Sequence, residues 1–205
     1  MKNKLLIIGA GGHGKVIADI AIQMGAWSDI AFLDDNDSVK AYMGIEVIGQ
    51  SNDATSYIND YDIFVGIGNN QTRQKLQEKL EAQGASIPIL VHPSAVIGNE
   101  VEISQGTVVM AGVVINCSTR IGRGCIINTS ATVDHDNVIE DFVHLSPGTH
   151  LAGTVQVGVG SWLGIGSAVS NNVTIASGCI IGAGAVVIKD IHEAGTYVGV
   201  PARRI

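Results

Sequence analysis

Gly9, Gly11 and Gly14 stand at the spacing G-x-G-x-x-G, and the acidic pair Asp34-Asp35 follows roughly 20 residues later. The glycines come directly after the apolar run Lys4–Ile8 and directly before a helical pattern. In that context their chemistry would be anion binding: backbone N–H groups at a helix N-terminus hold a diphosphate, while a carboxylate accepts from a ribose or a base. Three readings stay open on these residues, namely a nucleotide diphosphate, NAD, or no more than a tight turn. Histidines are the other chemistry-bearing residues, because imidazole titrates near neutral pH. His13 lies inside the glycine loop as a ligand or a cap, and His92 precedes Pro93 as a structural residue. Cys117, Cys125 and Cys179 are odd in number and lack metal-ligand spacing, so all three read as packing residues of a reducing compartment.

The elements that must position the glycine loop form a small α/β domain. Lys4–Ile8 reads as a strand. A helix then carries Val16, Ile17, Ile20, Ala21 and Met24 on one face and stops at Gly25. Strands at Ile30–Leu33 and Asp62–Gly66 follow. The third runs into Ile67-Gly-Asn-Asn70 and a second helix marked by Leu76 and Leu80, which closes at Gly84. Alternation of strands and helices predicts a parallel sheet over residues 1–88, half the length of a full NAD-binding fold.

Residues 89–205 follow a different period. From Val91 every sixth residue, through Val187, is Ile, Leu or Val, without an insertion. The position four residues later is usually small or β-branched, as at Val101, Thr107, Val113, Thr119, Cys125 and Ala131. A period of six fits neither a helix nor a hairpin sheet. It fits a solenoid in which each hexapeptide is one short strand plus a corner, three to a coil of about 18 residues. Residues 91–192 then wind between five and six coils, a prism roughly 25–28 Å tall at about 4.8 Å per coil. With 26 glycines and only 4% aromatics, the composition suits thin, tightly cornered β structure.

This repeat, with the tail Tyr197-Val-Gly-Val-Pro-Ala-Arg-Arg-Ile205, resembles the hexapeptide-repeat acyltransferases. That resemblance implies a left-handed β-helix, since spacing alone gives no hand. With the Gly9-Ala-Gly-Gly-His-Gly14 loop ahead of it, the whole chain resembles the sialic acid O-acetyltransferase and UDP-4-amino-sugar N-acetyltransferase family. Further pieces of the likeness are Phe32-Leu-Asp-Asp35, Ile67-Gly-Asn-Asn70, Asn128-Thr-Ser130, Val133-Asp-His-Asp136, Phe142-Val-His144 and Val198-Gly-Val-Pro-Ala202. The expected fold is therefore a Rossmann-like α/β half domain followed by a left-handed parallel β-helix.

The resemblance assigns Gly11, Gly12, His13, Asp34, Asp35 and Gly68 to a UDP-sugar, His135 to a general base and Asp136 to its support. Asp136 stands where the family often has Glu. His144, Gly153, Ile165 and Ala183 are its acetyl-CoA contacts, with acetyl-CoA as co-substrate. The chemistry agrees: acyl transfer from a thioester needs a base near neutral pH, an adjacent carboxylate orients an imidazole, and no Ser or Cys nucleophile is required. Gly153, 18 residues after His135, stands one coil along in the same column, where a backbone donor would face a developing oxyanion. His144 lies nine residues from His135, half a coil, so a site using both would lie between neighbouring subunits, which fits the homotrimer that the resemblance implies. His150 reads as a surface or interface residue. A metal centre built from His135, His144 and His150 would need their faces to converge, so none is expected. Arg203 and Arg204 reach a CoA phosphate or form a solvated tail.

A net charge of −7 argues against nucleic-acid binding. No apolar run is long enough to span a membrane, and Met1–Ile8 is too short for a signal peptide, so a cytoplasmic enzyme is expected. The leading expectation is N-acetylation of a UDP-4-amino-4,6-dideoxy sugar. Sialic acid O-acetylation, a non-catalytic sugar-nucleotide-binding trimer and an NAD-dependent enzyme are the competing readings.

Overall fold

A computed structural model describes residues 2–36, 38 and 41–205. Met1, which opens the apolar run of the N-terminus, lies outside the described residues. The chain divides into two compact units, Met1–Pro93 and Ser94–Ile205.

The first unit alternates strands and helices. It comprises β1 (Lys4–Ile8), α1 (Gly12–Met24), β2 (Asp29–Leu33), β3 (Ala41–Tyr42), β4 (Ile45–Gly49), a 3₁₀ helix (Ser51–Tyr57), β5 (Asp62–Val65) and α2 (Asn70–Ala82). The sheet order is β3-β4-β2-β1-β5. β1 pairs in parallel with both β2 and β5, and only β3 is antiparallel. The order reverses beside β1, so the crevice beyond the carboxyl ends of β1 and β5 is where such a sheet holds ligands. The loop after β1 is Gly9–Gly11 and the loop after β5 is Gly66–Asn69.

α1 begins at Gly12, inside the glycine motif, and buries Gly14, Ile17, Ala18, Ile20 and Ala21. Val16, expected on the buried face, is 40% exposed, because the helix turns its 17/18/21 stripe to the core. Gly25 ends it in the left-handed conformation at φ 62°. β4 and the 3₁₀ helix were not legible in the sequence. β4 is short and mixed in polarity, and its partner β3 joins it through the turn Met43-Gly44, both at positive φ. Leu6, Ile8, Leu33, Ala54, Ile63, Val65 and Leu80 form the core on one side of the sheet.

The second unit is a parallel β-helix of two-residue strands. Partners are 18 residues apart, as in Val114↔Thr132↔His150↔Ala168 along one sheet, Arg120↔Val138↔Gln156 along the second and Ile126↔His144↔Trp162↔Ile180 along the third. The six-residue aliphatic positions point inward: from Val109 to Val187 none is more than 3% exposed. In the first coil Ile97 is 37% exposed. Three residues after each aliphatic position the backbone turns through positive φ, without a break from Glu100 to Gly184. Glycine supplies this corner at Gly106, Gly112 and Gly124, but Ser118, Ser130, Asp136, Phe142, Thr154 and Asn172 adopt it too.

Candidate active site

The nucleotide-binding candidates gather at the carboxyl ends of β1, β2 and β5. Gly9, at φ 100°, donates its N–H to the Leu33 carbonyl at 2.7 Å. A Cβ on Gly14 would lie 1.8 Å from the Gly9 carbonyl oxygen, and one on Gly66 2.9 Å from Ile7 Cγ2. Gly9, Gly14 and Gly66 are therefore glycines for packing. Gly11, Gly12 and Gly68 meet no atom within 4 Å of an added Cβ, so nothing in this chain explains their small size. Among the described residues, the N–H groups of Gly11, Gly12, His13 and Gly14 find no protein acceptor, and no side chain caps α1. By contrast α2 is capped by its own Asn69, whose Oδ1 accepts from the Thr72 N–H at 2.9 Å. Among the described residues, the α1 N-terminus at the glycine loop therefore lacks the side-chain cap that α2 has.

The acidic pair divides its work. Asp34 accepts the Ala10 N–H at 2.6 Å and the Asn36 N–H at 2.8 Å, which ties the glycine loop to the end of β2. Asp35 accepts the Ser51 N–H at 2.8 Å and lines a cleft of about 660 Å³ with Ser51, Asn52, Ile67, Thr72 and Lys75. His13 is largely buried, and burial first, then the Arg73 guanidinium, lowers its pKa to about 4, so it is neutral. Its Nε2 has no hydrogen-bond partner among the described residues. Arg73, 1% exposed, was not foreseen; it donates to the Ile67 and Gly68 carbonyls at 3.2 and 3.1 Å and so holds the loop after β5. Its position on a polar helix gave no sign of burial.

In the β-helix, His135 and Asp136 occupy the corner that follows the strand Thr132–Val133. Asp136 sits at φ 57°, a conformation Asp tolerates better than most residues, and this directs its carboxylate back at its neighbour. His135 Nδ1 donates to Asp136 Oδ2 at 2.7 Å. A carboxylate only accepts, so the proton sits on Nδ1 and Nε2 carries a lone pair. Nε2 has no partner among the described residues, and the side chain is 53% exposed. The Asp136 hydrogen bond is the main cause that raises the His135 pKa above 6.5, with the Asp134 charge adding to it and desolvation opposing. Asp134 itself is held below the usual carboxylate range by the Asn116 amide at 2.8 Å and by the His135 N–H.

Gly153 lies beneath this pair. A Cβ there would stand 2.6 Å from His135 Cε1 and 2.7 Å from Nε2, so the imidazole occupies the space a side chain would take. The Gly153 N–H has no acceptor among the described residues, while its carbonyl accepts from Asn172. The other acetyl-CoA candidates are elsewhere on the prism. His144 lies in the third sheet between Ile126 and Trp162, its Nε2 at 3.1 Å from Asn128 Nδ2 and its ring centroid 6.3 Å from that of Trp162. Ile165 and Ala183, both exposed, share the corner after that sheet, one coil apart. Thus the structure brings His135, Asp136 and Gly153 together, and Ile165 with Ala183, on two different corners. His150 is exposed and bonds Thr132 Oγ1 at 2.9 Å. Arg204 is engaged by Glu193 and Ala194 while its side chain stays half exposed. Of the cysteines, Cys125 and Cys179 are buried, but Cys117 is exposed, because its corner position points away from the prism. No helix among the described residues is long and apolar enough to cross a membrane.

An α/β half domain followed by a parallel β-helix is the architecture of sugar-nucleotide acyltransferases, and relatives of this kind are found. Residues 4–80 match the family described as the PglD N-terminal domain. The chain is 31% identical over 184 residues to a GDP-perosamine N-acetyltransferase of Escherichia coli O157:H7, covering 87% of this chain and 82% of that one. It is 40% identical over 116 residues to the UDP-N-acetylbacillosamine N-acetyltransferase of Bacillus subtilis, 54% of this chain and 52% of the relative. Among solved structures, the acetyltransferase domain of PglB from Neisseria gonorrhoeae, known also with acetyl coenzyme A, matches with a TM-score of 0.96 and 40% identity over the full length of both chains. PerB from Caulobacter crescentus, in complex with CoA and GDP-perosamine, matches with a TM-score of 0.93 and 39% identity over 98% of this chain and 97% of that one. The chain belongs to this family of acetyl-CoA-dependent sugar N-acetyltransferases, and its β-helix is of the left-handed kind.

Proposed function

We propose that the chain transfers the acetyl group of acetyl-CoA to the 4-amino group of a UDP-4-amino-4,6-dideoxy sugar, with His135 as general base. The observation that carries this reading is the His135–Asp136 pair at 2.7 Å, which leaves a basic, unpartnered Nε2 over Gly153. The amine attacks the thioester carbonyl, a C–N bond forms, and the nitrogen loses its proton to Nε2. The C–S bond then breaks, the CoA thiolate leaves, and the imidazolium proton neutralises it. The unpartnered Gly153 N–H is a candidate donor to the developing oxyanion. Residues 1–88 hold the sugar nucleotide, its diphosphate at Gly11, Gly12 and the uncapped start of α1, its nucleoside toward Asp35 and Gly68. Residues 89–205 carry the transfer, with His144, Ile165 and Ala183 as acetyl-CoA contacts in a homotrimer whose sites lie between subunits.

A second reading, a GDP-linked amino sugar, is favoured by the E. coli relative and by PerB, whose bound nucleotide sugar is GDP-perosamine. Acetyl transfer with CoA thiol release, measured on UDP-4-amino-4,6-dideoxy-N-acetylglucosamine, its C4 epimer, GDP-perosamine and free sialic acid, separates the two. Turnover on a UDP sugar is expected. Turnover confined to GDP-perosamine replaces the nucleotide, and turnover confined to sialic acid overturns the role given to the glycine loop. His135→Ala should lower the rate by roughly 10²–10⁴ with sugar-nucleotide affinity nearly unchanged.

A further inference from the structure

The inward position four residues after each aliphatic one holds a polar side chain at several levels of the prism, and most of these work alike. Thr107 donates to the carbonyl of Gly122, 15 residues on, and accepts the N–H of Cys125, 18 residues on, at 2.7 and 2.9 Å. Thr119 does the same with Asp134 and Asn137 at 2.9 and 3.3 Å, and Ser161 with Ala176 and Cys179 at 3.0 and 3.1 Å. Each of these three hydroxyls is thus a clasp between one coil and the next.

Asn137 occupies the same position at the level of His135 and is fully buried. Its amide makes the clasp with the next coil: Nδ2 donates to the Ala152 carbonyl at 3.1 Å, and Oδ1 accepts the Val155 N–H at 2.8 Å. Being longer than a hydroxyl, it also reaches backward. Nδ2 donates to the Asp134 carbonyl at 2.6 Å and approaches the His135 carbonyl at 3.3 Å. One planar amide therefore grips the two carbonyls that flank His135 and the coil that carries Gly153. Asp136, at positive φ without being glycine, is the residue of this corner most in need of external restraint.

We infer that Asn137 is a positioning residue of the transfer reaction: through the Asp134, His135 and Ala152 carbonyls it fixes the corner that presents His135 and Asp136 above Gly153. The inference rests on His135 as the base. The repeat provides the discriminating substitution. Thr at 137 would keep the clasp to Ala152 and Val155, as Thr119 and Thr107 do at their levels, and lose only the backward grip.

The test measures kcat, the KM of each substrate and the thermal midpoint for Asn137→Thr, Asn137→Ser and His135→Ala. Expected for Asn137→Thr is a midpoint within a few degrees of the parent, KM values within about twofold, and kcat lower by about tenfold or more, since small misplacements of a reacting group are costly. Parent-like kcat in a folded Asn137→Thr protein overturns the inference while a large loss in His135→Ala leaves the base in place. An undiminished rate in His135→Ala overturns both. If Asn137→Thr does not fold, Asn137→Ser, which carries the hydroxyl of Ser161 in less volume, is read by the same criteria. If that also fails to fold, Asn137 is a stability residue and the inference is wrong.

Discussion

His135, the proposed base, has its pKa raised chiefly by a neighbour one residue away, and that makes its pH behaviour testable. Only the neutral imidazole can accept a proton, and the Asp136 hydrogen bond is the largest cause raising its pKa above 6.5. The acid limb of the kcat/KM profile should therefore lie above pH 6.5 in the parent. Asp136→Asn keeps a residue that tolerates positive φ but removes the carboxylate, so the limb should move down toward 6.5, with Asp134 sustaining part of the shift. The plateau should drop by about tenfold or more, because the Nδ1 proton is no longer fixed by a charge. Rates measured from pH 5 to 9 check this. A limb that stays in place would show that another group titrates. Residue identities told less at the glycine loop: the spacing marked Gly9, Gly11 and Gly14 alike, but only packing separates Gly9 and Gly14, wedged against backbone, from Gly11, which faces open space. Asp34 likewise read as a ligand for the nucleoside, and spacing gave no sign that its carboxylate also accepts the Ala10 and Asn36 N–H groups.

At the level of elements, the hexapeptide corner determines what each position tolerates. Gly158 and Gly153 are both glycines of the corner, yet their surroundings differ. A Cβ on Gly158 would lie 2.4 Å from the Ser177 backbone nitrogen and 2.7 Å from the Ala176 carbonyl carbon, neither of which can move without separating coils. The three atoms nearest to a Cβ on Gly153 all belong to the His135 ring, a half-exposed side chain that can swing to solvent. Gly158→Ala should thus cost roughly 1–3 kcal/mol or more by overpacking. Gly153→Ala should leave the thermal midpoint near the parent value while activity falls toward that of His135→Ala. Thermal unfolding and turnover on the same two proteins decide it; equal destabilisation of both would contradict the placement of the imidazole. The aliphatic period was legible because every sixth residue from Val91 to Val187 obeys it without an insertion. The positive-φ corner three residues later was not, because Ser118, Asp136, Phe142 and Thr154 adopt it alongside the glycines and hide the repeat. Asn137 escaped notice for a related reason: its position is filled elsewhere by Val, Ile, Thr, Ser, Cys or Ala, and its value lies in reach, which spacing does not encode.

For the whole molecule, the proposed trimer follows from a mismatch within one chain. His135 and Gly153 stand on the corner after the first sheet, His144 in the third sheet, and Ile165 with Ala183 on the corner after that. Outward on the third sheet, Trp162 is 46% and Ile180 41% exposed, apolar surface that a second copy of the chain would cover. If each site takes His135 from one subunit and His144 from its neighbour, defects in the two residues should complement. His135→Ala and His144→Ala proteins would each be impaired alone at every site. Unfolded together and refolded as mixed trimers, about one quarter of the sites would unite an intact His135 with an intact His144. The mixture should then regain about that share of parent activity, and sedimentation should report three chains per particle. Sites contained in single chains cannot be repaired in this way, since each subunit would keep its own defect whatever it is paired with. A refolded mixture no more active than the mean of the two separate variants would therefore place both histidines in one subunit's site, or remove His144 from it.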